Sequence, residues 1–123
     1  MNDIQNQEDL FILVSSFYDK LLEDKSINYI FTDVVKINLS EHLPELVTFW
    51  AQALLGKSGY NKNVMQMHLD IHHKIVLTEA HFTTWLKHFN ASVDENFKGI
   101  IAEKAKTQAL SIATVMQIKM KNL

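Results

Sequence analysis

The stretch that decides the fold is residues 71–85, which read IHHKIVLTEAHFTTW. A histidine, His72, precedes a short turn, and Thr78 can cap the helix that follows. The apolar face of that helix carries Phe82 and Trp85. A flat cofactor that bears a metal fits such a place, because one imidazole nitrogen can reach the metal while aromatic side chains keep water out. The stretch therefore predicts a buried cofactor site before a capped helix.

Composition favours a single helical domain over residues 1–123. Of the 123 residues, 47% are apolar and 21% are charged, which is ordinary for one globular core. Three glycines and one proline are few for a β-sandwich or a dinucleotide-binding fold. The sequence contains no cysteine, which excludes disulfides and thiolate chemistry. We therefore expect an all-α domain.

The charged residues limit the partners. All twelve basic residues are lysines, and the formal net charge is −2. Because the chain lacks the planar arginine fork that binds phosphates, a nucleic-acid partner is not expected. No apolar run is long enough to span a bilayer, and the first residues are too polar for a signal peptide. We expect a cytoplasmic protein with no membrane partner.

The first half of the chain predicts two helices. The first covers residues 8–23, where apolar side chains recur at helical spacing. Residues 26–39 have weak periodicity and predict short turns. The second helix should start after Ser40, hold Pro44 in its first turn and end at Gly56.

This second helix has two apolar faces, which are made of His42, Leu46, Phe49 and Ala53 on one side and Leu43, Val47, Trp50 and Leu54 on the other. A helix that is apolar on both sides lies between two partners, for example other helices and a flat ligand. A loop at 56–63 and a short helix at 64–72 should follow. Two further helices are predicted, one after Thr78 and one after Gly99.

An ordered set of aromatic and histidine positions runs from residue 8 to residue 120. Its members are Phe17-Tyr18, Ile30-Phe31, His42, Phe49-Trp50, Leu54-Leu55-Gly56, Tyr60-Asn61, a histidine and residues 77–86. This set resembles the truncated haemoglobins, and most of all their third group. The other two groups typically carry glycine pairs around the cofactor helices, whereas this chain has only Leu55-Gly56 and Ser58-Gly59 there.

The resemblance implies a two-over-two helical sandwich around haem b. Tyr18 and His42 would lie on the distal side of the haem, and Trp85 would complete the pocket. Phe31, Leu46 and Phe49 would line it. The iron ligand would be His72, the histidine at the usual distance before Phe82 and Trp85. His68 remains an alternative. His73 follows His72 directly and would point about 100° away from it around a helix, which makes it the least favoured of the three.

The same resemblance implies the binding of dioxygen, nitric oxide or carbon monoxide. The hydroxyl of Tyr18 and the indole N–H of Trp85 would donate hydrogen bonds to the gas. His42 would gate entry, donate to the gas or bind the iron itself. Nitric oxide dioxygenation or peroxide chemistry would need an electron donor, which the sequence does not identify. We expect a monomer, and whether it is an enzyme stays open.

A second interpretation needs no haem. His68 and His72 lie one helical turn apart and could provide two ligands for zinc. The chain would then be a helical bundle that binds zinc or a partner. It lacks both the neighbouring glutamate of a hydrolytic helix and a cysteine to complete a structural site.

Overall fold

The computed structural model describes residues 1–36, 38–58 and 76–121. These residues form four α-helices and one short π-helix, which are joined by turns and loops, and the described part of the chain contains no strand. The all-α prediction is confirmed. The helices are α1 (Gln7–Glu23), α2 (Leu39–Leu55), α3 (Glu79–Asn96) and α4 (Ile100–Lys121), and the π-helix is Ile30–Val34. Most of the loop predicted at 56–63 and all of the short helix predicted at 64–72 lie outside the described residues.

Helix α1 is the centre of the packing. It contacts both α2 and α3, and α3 packs in turn on α4. The inward side chains of α1 include Leu10, Leu13, Val14 and Leu21, which are fully buried. Each such aliphatic side chain stabilises the fold by about 1.5–3 kcal/mol relative to an exposed one. No helix in the described part of the chain is both long and apolar enough to cross a membrane.

The start of α2 differs from the prediction. Asn38, not Ser40, is the capping residue: the Asn38 side-chain oxygen accepts from the Ser40 N–H at 3.2 Å and from its hydroxyl at 2.7 Å. The backbone of Asn38 is extended, as a cap requires, and the helix already begins at Leu39. Pro44 therefore lies in the second turn instead of the first. The predicted end is confirmed, because Gly56 adopts the left-handed conformation with φ +69°.

Helix α3 begins as predicted. The hydroxyl of Thr78 accepts from the backbone N–H of His81, and the His81 ring accepts from the backbone N–H of Thr78. This reciprocal pair is a capping box, in which a histidine takes the place of the usual Glu or Gln. The helix ends at Asn96, before the last helix that the sequence predicted after Gly99.

The N-terminal segment closes the start of α4. The Asp3 carboxylate accepts from the backbone N–H groups of Ile101 and Ala102, each at 2.8 Å. The side chain of Ile4 is buried beside this contact, at 2% exposure. Gly99 is required here, because its φ is +152° and a Cβ atom would overlap the Asp3 side chain. A residue close to one end of the chain thus caps the last helix.

Replacing Asp3 with alanine is expected to lower the free energy of unfolding by about 1 kcal/mol, since the backbone N–H groups of Ile4, Ile101 and Ala102 lose their acceptor. Burial alone would raise the pKa of Asp3, but the backbone hydrogen bonds outweigh it and lower the pKa below its ordinary value. The stabilisation is therefore present above the unfolded pKa of about 3.9 and lost as the pH falls further. Urea unfolding at neutral and acidic pH measures both effects.

Asp19→Ala provides the control for this prediction, because Asp19 is exposed on α1. We expect it to change the free energy of unfolding by less than about 0.5 kcal/mol. Equal effects of the two substitutions at neutral pH would contradict the capping role of Asp3.

Candidate functional site

A hydrogen bond between α1 and α2 is the centre of the candidate site. The hydroxyl of Tyr18 lies 2.8 Å from Nε2 of His42. The two rings meet edge to face, with centroids 5.3 Å apart. Tyr18 is only 6% exposed, whereas His42 is half-buried near the start of α2. The structure therefore brings together two side chains that the sequence separates by 24 positions.

The hydroxyl of Tyr18 is protonated at neutral pH, and burial reinforces this state. Burial raises the pKa of the phenol well above its ordinary value of 10.0. That single proton has two possible destinations. If Nε2 of His42 carries a proton, it donates to the Tyr18 oxygen, and the Tyr18 proton can be donated to a third group. If Nε2 carries none, the Tyr18 proton is used by His42.

Phe31 closes one side of this pair. Its ring meets that of Tyr18 edge to face at 5.6 Å. Phe31 belongs to the π-helix, which buried Ile30 anchors at 3% exposure. The sequence predicted short turns for residues 26–39, and the structure has this π-helix among them. An aromatic ring beside the hydroxyl limits the access of water to it.

Trp85 approaches the pair through Phe17. The ring of Phe17 lies 5.5 Å from Tyr18 and 5.5 Å from Trp85, edge to face with both. Trp85 also stacks on Phe89, with centroids 5.9 Å apart and planes 15° apart. Phe17 of α1 thus contacts both Tyr18 and Trp85, and it links the pair to α3. The structure places Tyr18, His42, Phe31 and Trp85 in one connected group.

The inner face of α2 continues from this group. Leu46 and Phe49 are half-buried and pack against the core, and Phe49 meets Trp50 at 5.2 Å. Trp50 itself is 4% exposed and stacks on Phe89 at 5.0 Å, so it is a core residue. A face that leaves apolar side chains half exposed beside a buried hydroxyl and an imidazole fits a flat, mostly apolar ligand with one polar centre. The donors present are of the kind that a haem pocket uses.

The histidines that could ligate a metal are His68, His72 and His73, and all three lie outside the described residues. The assignment of His72 therefore stays a prediction. Within the described residues there is no cluster of three or more histidine, aspartate or glutamate side chains that could hold a metal ion. The zinc pair of the second interpretation also lies outside them.

Two histidine contacts were not predicted from the sequence. Nε2 of His81 lies 2.8 Å from the hydroxyl of Tyr29, and Nε2 of His88 lies 2.6 Å from a carboxylate oxygen of Asp24. Hydrogen bonds from Ser26 and His88 lower the pKa of Asp24 to about 2. The position of His81, three residues after its cap, could have indicated a capping box, whereas the His88 contact has no local signal.

The family follows from this arrangement of helices and from comparison with known proteins. Residues 2–122 match the family described as Bacterial-like globin. The chain belongs to the bacterial-like globins, a family of haem-binding proteins. Globins bind small diatomic gases.

Two comparisons place the chain within that family. It is 32% identical over 108 residues to Group 3 truncated hemoglobin ctb of Campylobacter jejuni, covering 82% of this chain and 83% of that protein. The crystal structure of group III truncated hemoglobin from Campylobacter jejuni superposes with a TM-score of 0.86 and 28% identity, covering 98% of this chain and 95% of the other. The resemblance to group III truncated haemoglobins, and the fold that it implied, are confirmed.

Proposed function

We propose that this globin binds haem b with His72 as the iron ligand, and that it reversibly holds dioxygen, nitric oxide or carbon monoxide on the side of Tyr18 and His42. The observation that carries the proposal is the 2.8 Å hydrogen bond between these two side chains. It puts a buried, protonated hydroxyl beside the half-buried apolar face of α2. Such a hydroxyl favours a small ligand on which negative charge develops.

The haem would supply an iron with one position open to a diatomic gas. The residues of the chain would do the rest. Tyr18 would donate its hydroxyl proton to the gas when His42 donates to Tyr18, and the indole N–H of Trp85 would be a second donor. Phe31, Leu46 and Phe49 would line the pocket and exclude water, which strengthens the hydrogen bonds inside it.

The visible absorption spectrum tests this proposal directly. The purified protein is reduced with dithionite and recorded before and after the addition of carbon monoxide. We expect a strong Soret band that sharpens and shifts with the gas, because the iron has an accessible position. A protein that is colourless and refuses added haemin would overturn the proposal.

The same pocket could also turn over the gases that it binds. We propose that a gas-binding protein of this kind can convert dioxygen and nitric oxide to nitrate, or react with peroxide, when an electron donor re-reduces the iron. Stopped-flow mixing of the dioxygen-loaded protein with nitric oxide, followed by nitrate analysis, tests the first reaction. Nitric oxide capture without nitrate would leave binding as the function.

We propose that the protein is a cytoplasmic monomer. Analytical ultracentrifugation tests the monomeric state.

Replacing Tyr18 with phenylalanine is expected to raise the dissociation rate of dioxygen about tenfold, because a hydrogen bond to a charged partner in a dry pocket is worth about 1.5 kcal/mol or more. Stopped-flow displacement of dioxygen by carbon monoxide measures this rate. Dissociation of carbon monoxide is the internal control, because that gas takes on less charge and should respond less. Equal changes for the two gases would remove Tyr18 from the donor set.

A further inference from the structure

His81 makes hydrogen bonds with two separate parts of the chain. At the start of α3, its Nδ1 accepts from the backbone N–H of Thr78 at 3.0 Å, and its own backbone N–H donates to the Thr78 hydroxyl at 3.3 Å. On the other side of the ring, Nε2 lies 2.8 Å from the hydroxyl of Tyr29. One imidazole thus joins the first turn of α3 to the residue that precedes the π-helix.

These contacts determine where the imidazole proton lies. A backbone N–H can only donate, so Nδ1 of His81 must be the unprotonated nitrogen. The ring is then neutral, its proton is on Nε2, and Nε2 donates to the oxygen of Tyr29. A second proton could bind only at Nδ1, where it would displace the hydrogen bond from Thr78.

In the proposed haem site, the two parts that His81 joins would belong to different sides of the pocket. Thr78 follows the stretch that contains His72, the proposed iron ligand. Tyr29 precedes Ile30–Val34, in which Phe31 packs on Tyr18. The hydrogen bonds of His81 therefore tie Thr78, at the start of α3, to Tyr29 at the start of the π-helix that carries Phe31.

We propose that His81 is a positioning residue, a latch that holds these two segments together, and that protonation of its Nδ1 releases the latch. The inference rests on the proposed haem function only where it concerns the gas. The latch itself is a property of the described hydrogen bonds. When it opens, the start of α3 loses the hydrogen bond from the Thr78 N–H to His81, and Thr78 loses its link through His81 to Tyr29.

The surroundings of His81 favour the neutral ring at neutral pH. Burial lowers the pKa of His81 below its ordinary value of 6.5. The N-terminus of α3 also opposes a positive charge at this position. Among the described residues, the groups that carry charge near these contacts in the chain are Asp33 in the π-helix and Glu79 in the first turn of α3, and Tyr29 carries the hydroxyl. The contribution of the latch to stability is therefore present above pH 6.5 and is lost as the pH falls through the lowered pKa.

Hydrogen exchange and imidazole NMR test the latch without reference to gas binding. We expect the ring nitrogens of the wild-type protein to report a proton on Nε2 at about pH 7.5. Between about pH 7.5 and pH 5, corrected protection of the Thr78 and His81 amides should fall at least about fivefold, as the loss of a helix cap implies. His81→Gln is the matched variant, because glutamine completes a capping box but does not titrate. Its protection should not change with pH, and equal pH dependence in both proteins would overturn the proposal.

The rate of carbon monoxide binding tests the connection to the haem. In the reduced, haem-loaded wild-type protein we expect the rate of carbon monoxide binding to change with pH in one step, which follows the titration of His81. Both His81→Gln and Tyr29→Phe should abolish it, since the second variant keeps the capping box and removes only the tie between the two segments. The same step in all three proteins would overturn the connection. A protein without haem would instead contradict the proposed function, while the exchange experiment would still decide on the latch.

Discussion

Replacing His72 with alanine is expected to abolish ordinary haem retention. In the proposed site the His72 imidazole binds the iron on the proximal side, and without it the haem is held by apolar contacts and by the side chains on the other side. The variant is loaded with haemin and passed through a desalting column. We expect the Soret band to be lost or grossly altered, whereas the wild-type protein keeps it.

The neighbouring histidines provide matched controls. His68→Ala and His73→Ala remove imidazoles from neighbouring positions and should leave the spectrum unchanged. Adding free imidazole to His72→Ala should restore a wild-type-like spectrum, because a small ligand can occupy the space that the side chain left. This rescue separates a lost ligand from a misfolded protein. Loss of the Soret band in His68→Ala, with His72→Ala unaffected, would move the ligand to His68.

The helices could be predicted because their signals are local. Apolar residues at helical spacing gave α1 almost to the residue, and Thr78 and Gly56 marked a beginning and an end correctly. The predicted start of α2 was wrong, and the reason is equally local. Asn38 and Ser40 are both good caps two residues apart, and only the extended backbone at Asn38 decides between them.

The contacts between distant residues could not be predicted from spacing. Asp3 meets Ile101 across 98 positions, and no period in the sequence relates them. Tyr18 and His42 were expected on the same side of a haem through the resemblance to a family, but their direct hydrogen bond depends on how α1 crosses α2. Local patterns specify helices and caps, whereas the pairing of side chains follows from tertiary packing.

Phe89→Ala is expected to lower the free energy of unfolding by about 3–5 kcal/mol, because it opens a cavity that its neighbours can fill only in part. Phe89 is fully buried. It stacks on both Trp50 and Trp85, and it meets Phe17 edge to face with the ring centroids 5.3 Å apart. Urea unfolding at a fixed haem saturation measures the loss. Phe11→Ala is the control, because Phe11 is 50% exposed on α1 and should matter far less.

The same substitution tests how the core positions the site. Phe89 stacks on Trp85 and so supports it, and Phe17 contacts both Trp85 and Tyr18. If the proposed donors depend on this support, Phe89→Ala should also speed dioxygen dissociation, although Phe89 is not among the proposed donors. Phe89→Leu fills most of the volume and should recover much of the stability but not the flat surface on which the indole stacks. Both variants lack the ring, but Phe89→Leu keeps most of the volume. If dioxygen dissociates faster from Phe89→Ala and at the wild-type rate from Phe89→Leu, packing volume alone positions Trp85.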